Sequence, residues 1–85
     1  MYLHIGNDFI VNTESIIGIF DLDITSQSYL TRQYLTGAEK AGLVINAAED
    51  IPKSFVICEE EGEKTVYLSQ MASATLLKRS ETGIM

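Results

Sequence analysis

Two short apolar runs, Tyr2–Ile5 and Phe9–Val11, flank Gly6-Asn7-Asp8 at the start of the chain. Glycine and asparagine tolerate the positive φ of a tight turn, so Met1–Val11 is predicted to be a β-hairpin. Asn12–Ser15 is a polar turn. Ile16–Phe20 is a dense β-branched and aromatic run and reads as a buried third strand. Gly18 within it lets a neighbouring backbone or ring come close. Strands following so closely imply an antiparallel meander.

The period changes after Asp21. Leu30, Tyr34, Leu35, Ala38 and Ala41 follow at helical intervals and predict one apolar stripe. The helix is placed at Ser26–Ala41, with Thr25 or Ser26 as N-cap and Gly42 as the residue that ends it. Gly37 in its middle costs about 1 kcal/mol against alanine and marks a packing contact or a weak point. Leu43–Ile45 is a short extended segment running into a loop, because Pro52 biases Ile51 away from helix. Ser54–Cys58 is a strand, Glu59–Lys64 a charged hairpin loop and Thr65–Leu68 the return strand. Ser69 reads as the N-cap of a second helix over Gln70–Ser80, with Lys78 and Arg79 complementing its C-terminal dipole. The order β-β-β-α-β-β-α describes a single α+β domain spanning residues 1–85, a small antiparallel sheet with two helices.

Length and composition narrow the function. Eighty-five residues make one small domain whose core supplies only about 3–5 kcal/mol of net stability. The single cysteine excludes an intrachain disulfide framework and a cysteine zinc site. No apolar run approaches the roughly 18 residues of a membrane span, and Met1–Val11 lacks a basic leader. These features predict a cytoplasmic protein. Twelve acidic residues against six basic ones give a net charge of −6, a field that opposes nucleic acid except at a local basic patch.

Candidate chemistry is sparse. His4 is the only histidine and reads as structural or as a subunit contact. Cys58, inside an apolar strand, reads as a small buried hydrophobe. Asp21 and Asp23 suit helix capping better than a cation site, which needs further ligands. Glu59–Glu61 with Glu63 form a solvated turn that also discourages edge pairing. No nucleotide, hydrolase or metalloprotease motif occurs, so no enzyme, cofactor or metal is expected. Among the cations, Lys53 sits after the stiffening Pro52, with Ser54 able to add a hydrogen bond to a phosphate. Lys78-Arg79 is the one adjacent basic pair. Tyr2, Tyr29, Tyr34 and Tyr67, beside aliphatic strands, exceed what one small core hides, so a closed homo-oligomer is expected.

The opening Met1–Val11, the Ile16–Asp21 strand, the Pro52-Lys53-Ser54 loop and the Leu76–Arg79 segment together resemble the extracellular matrix regulatory proteins RemA and RemB, and within them the RemB branch. The resemblance covers about residues 1–80. It implies a ring-forming homo-oligomer and a role in transcriptional control of biofilm matrix genes. RemA-type members place arginines where this chain has Glu14 and Ile51-Pro52. Only Lys53 brings positive charge to that loop, and Ser54, Lys78 and Arg79 fit the RemB-like pattern, so the DNA contact that the resemblance implies is expected at Lys53, Ser54, Lys78 and Arg79. An oligomeric adaptor that acts through protein partners is the alternative.

Overall fold

The computed structural model describes residues 1–22 and 29–82. Strands β1 (Tyr2–Gly6) and β2 (Phe9–Asn12) form the expected hairpin. Asn7 takes a φ of 49° in its turn, and Gly6 takes 143°. A Cβ on Gly6 would lie 2.7 Å from the Ala47 carbonyl oxygen, so only glycine fits there. A single 3-10 turn, Thr13–Ser15, follows, with the Asn12 side chain accepting from the Glu14 N–H at 3.0 Å.

That turn redirects the chain, and the predicted three-stranded meander does not form. β3 (Ile16–Asp21) pairs antiparallel with β5 (Ser54–Glu60), and β5 pairs antiparallel with β6 (Glu63–Ser69). The Leu43–Ile45 segment yields a true strand, β4 (Val44–Asn46), parallel to β6. The result is a hairpin and a separate mixed sheet in the order β3-β5-β6-β4. The fold is α+β as expected, but its sheet is not wholly antiparallel.

Alternation along β5 explains the layers. Val56 and Cys58 point to one face, where they join Leu3, Ile5 and Val11 of the hairpin and Leu76 of α2 (Ser73–Thr82). Phe55 and Ile57 point to the other, where they meet Leu35 and Ala38 of α1 (Tyr29–Lys40). Stacking the hairpin on the sheet buries Leu3 and Ile5 completely. Extending the sheet with it would leave those side chains without that cover. Gly18 behaves as predicted: Phe20 carbons occupy the space 2.6 Å from where its Cβ would stand, and the Phe20 ring stacks on Phe55 at 5.0 Å.

The start of α1 predicted at Ser26, and the caps Thr25 and Ser26, lie outside the described residues, as does Asp23. Its end matches the expectation. Gly42 adopts a φ of 75°, while Gly42 N–H donates to Glu39 and Leu43 N–H to Ala38, a Schellman closure. The predicted stripe splits, however. Leu35 and Ala38 face the sheet, whereas Leu30 and Tyr34 are exposed. Two corrections concern hairpin and helix ends. The charged loop shrinks to Glu61-Gly62, because β5 and β6 continue to Glu60 and Glu63. Ser69 is not the N-cap of α2, which begins four residues later; it is the fully buried end of β6. Among the described residues, no helix is long and apolar enough to cross a membrane.

Candidate functional site

The loop before β5 is held from both sides. Lys53 N–H donates to the Ser69 carbonyl at 2.8 Å, and the Lys53 carbonyl accepts from Leu22 N–H at 2.9 Å. Lys53 is therefore fixed between β6 and the end of β3, with its side chain exposed. Upstream, Gln70 Oε1 accepts from the N–H groups of Glu49 and Asp50 at 2.8 and 3.2 Å. Asp50 Oδ1 in turn accepts from Ile51 N–H at 2.8 Å. Side-chain oxygens thus replace the missing ladder through the loop, and the backbone entropy of presenting Lys53 is spent in folding.

Ser54 does not share that exposure. It is fully buried, and its hydroxyl donates to the Met71 carbonyl at 2.7 Å. As the first residue of β5 it points inward, so it supports the loop and its side chain cannot reach a phosphate at the surface. Ser69 completes the frame: its hydroxyl donates to the Ile5 carbonyl at 2.5 Å and accepts from Met71 N–H at 3.1 Å. One serine therefore ties the hairpin, β6 and the approach to α2 together. The sequence signalled a capping serine at this place; only the three-dimensional fold shows which groups it satisfies.

Lys78 and Arg79 lie on a different element, in the second half of α2. Lys78 is exposed and Arg79 half-buried. Lys53 instead adjoins the residues that lead into α2, so the candidate cations are not gathered into one cluster on one element.

The far end of the sheet has the opposite character. Glu14, Glu59, Glu60, Glu61 and Glu63 line an open groove beside Tyr67. These residues come together because the Thr13–Ser15 turn folds over the end of the β5–β6 hairpin. Burial pushes the Cys58 thiol above its ordinary value; a Ser15 hydrogen bond opposes this, and the Glu60 charge adds to it. Burial likewise raises Tyr67, with Cys58 and Glu60 contributing. A hard-to-ionise thiol is a poor nucleophile at neutral pH, which matches the packing role expected of Cys58. The His4 ring nitrogen contacts the Asn7 carbonyl at 2.6 Å across its own hairpin turn, a structural arrangement. Among the described residues no group of three or more His, Cys, Asp or Glu side chains is arranged to hold a metal ion.

Comparison with known proteins finds matches over nearly the whole chain. A family model described as RemA-like, extracellular matrix regulatory protein A-like, matches residues 2–79. Extracellular matrix regulatory protein B of Bacillus subtilis (strain 168) is 33% identical over 81 residues, covering 95% of this chain and 91% of that protein. With one continuous match over nearly the whole fold, the chain belongs to the RemA-like family of extracellular matrix regulatory proteins.

Proposed function

We propose that this protein is a non-enzymatic, cytoplasmic, homo-oligomeric regulator of extracellular matrix gene expression that contacts DNA phosphates through Lys53. The observation that carries the proposal is the frame around that residue: an exposed lysine between two backbone hydrogen bonds, on a loop stapled by Gln70. Such a contact positions but does not read sequence. One phosphate per subunit is feeble; repeated around a closed ring, it adds at every copy. Each neutralised phosphate contributes about −0.9 to the slope of log affinity against log salt. Lys78 and Arg79 stand apart on α2 as the alternative contact, while Ser54 acts only as buried support.

A titration of duplex DNA across salt tests this reading. Lys53→Glu should abolish binding while the oligomer keeps its mass. Binding by Lys53→Glu equal to wild type moves the site to Lys78-Arg79. No affinity at low salt for the wild type ends the DNA reading. The groove of five glutamates favours a second reading in that case, an oligomeric adaptor with a basic protein partner.

A further inference from the structure

Helix α1 carries an apolar stripe that none of the other described residues covers. Leu30 is 73% and Tyr34 42% exposed; Gly37 and Ala41 on the same line are exposed as well. Ala41 N–H still donates to the Gly37 carbonyl, so the helical path runs through all four. Their spacing of four, three and four residues is that of a heptad seam. Gly37 has no neighbour within 4 Å of where a Cβ would stand. Among the described residues, then, no close packing requires a glycine at a position where it weakens the helix.

The order of sizes along the stripe identifies the occupant. Read forwards it is large, large, small, small. Read backwards it is small, small, large, large. We infer that α1 docks antiparallel against α1 of a second copy, with Tyr34 seated over the partner's Gly37 and Leu30 over the partner's Ala41. Each contact then occurs twice, as a two-fold interface demands. Knobs meet holes without a void, and the glycine acquires a reason.

Charge and placement agree with this pairing. The stripe itself has no charged residue; Lys40 flanks it, and Arg32 lines the same groove beside Gly37. Antiparallel pairing sets the two Lys40 residues about 14 Å apart along the axis, at a rise of 1.5 Å per residue, and brings each towards the partner's Gln33. A parallel pairing would set them side by side and oppose bulky Tyr34 to Tyr34. The helix rests over β4, the edge strand of the sheet, and not between two layers of its own fold.

One helix face is smaller than a stable dimer needs, because specific interfaces bury about 1,200–2,000 Å². The contact therefore acts within the homo-oligomer proposed above, on which it rests, as a two-fold joint repeated between assembled copies.

The test uses the full chain with Cys58→Ala throughout. Purified Tyr34→Cys and Gly37→Cys proteins are oxidised separately and as a mixture, and mass is measured in solution. A mixed 34–37 disulfide, formed at least tenfold more than either homodimer, is expected, as is a two-fold drop in assembly mass for Leu30→Glu. Gly37→Leu, more favourable to the helix itself, should lower the assembly mass of the full chain, which a glycine with no contact to a second copy would not do. An assembly whose mass survives Leu30→Glu, with no mixed disulfide, overturns this inference alone. Monomeric wild-type protein overturns both this inference and the oligomeric reading beneath it.

Discussion

Ser69→Ala removes one buried oxygen and orphans two backbone groups. Ser69 has no exposed surface, and its hydroxyl serves the Ile5 carbonyl at 2.5 Å and Met71 N–H at 3.1 Å. A buried group left without its partner costs about 1–3 kcal/mol. The space vacated by a single oxygen is too small to admit a bridging water. Allowing for partial relaxation, the substitution should cost about 2–4 kcal/mol, most of the net stability expected of so small a domain. Ser54→Ala is the internal standard. Ser54 is equally buried, but its hydroxyl serves one backbone group, the Met71 carbonyl. It should cost about half as much, roughly 1–2 kcal/mol on the same scale. Urea unfolding followed by circular dichroism, at one fixed protein concentration, gives both values. At roughly 4–8 °C per kcal/mol, the thermal midpoint of Ser69→Ala should fall by at least about 8 °C. A loss under about 0.5 kcal/mol, no more than a surface substitution gives, would refute the reasoning. So would a Ser69→Ala protein more stable than Ser54→Ala. Either result would mean that the hairpin is held by apolar packing and the serine bridge is incidental.

Three further expectations follow from the packing. Cys58, 5% exposed with its thiol pushed up by burial, should react slowly with a thiol probe in the native protein and quickly in urea; fast native labelling would contradict the burial. Because folding raises the Cys58 and Tyr67 values, the folded state holds those protons more tightly than the unfolded state. Stability is therefore intact below the ordinary thiol value of 9.0 and falls as pH rises past it, with a further fall past the ordinary tyrosine value of 10.0. Unfolding at pH 7 to 10.5 should show that decline, and Cys58→Ala should lose its first part. Gly18→Ala forces a methyl into carbons of the Phe20 ring at 2.6 Å. Expelling that ring from its stack on Phe55 should cost about 1–3 kcal/mol, read by urea unfolding, and an unchanged midpoint would show that the ring shifts freely.

Short-range chemistry was legible in the sequence. The hairpin at Gly6-Asn7-Asp8, the β5–β6 pair and the Gly42 helix stop each depend on residues a few positions apart. Gly18 was legible for the same reason, since its neighbour proves to be Phe20. Pairing was not legible. Alternation shows that Ile16–Phe20 has an apolar side; it does not say whether that strand meets β2 nearby or β5 more than thirty residues on. The three-residue β4 has too little periodicity to announce itself. On α1, five apolar positions looked like one stripe because periodicity reports spacing and not which flank meets the sheet. Ser54 beside Lys53 suggested a shared phosphate site by adjacency, yet neighbours on a strand face opposite ways, and Ser54 points into the core. The Gln70 staple had no sequence signal at all: it joins backbone groups twenty residues away.

The net charge of −6 carries less weight against a DNA contact than it does as a total, because the charge is unevenly placed. Five of the twelve acidic residues line the groove at the β5–β6 turn. Setting those five aside leaves seven acidic residues against six basic ones. Lys53 stands just before the opposite end of β5, which runs from Ser54 to Glu60. At about 3.3 Å per residue, that separates Lys53 from the groove by roughly 20 Å. The screening length at physiological salt is about 8 Å. What a phosphate meets at Lys53 is set by closer groups. Asp50 accepts from Ile51 N–H in the same loop, and Asp21 lies opposite Ser54 in the sheet register. Nearby carboxylates such as these, more than the total, bear on what one lysine can hold. On the proposed reading they would make a phosphate contact depend on repetition through an assembly.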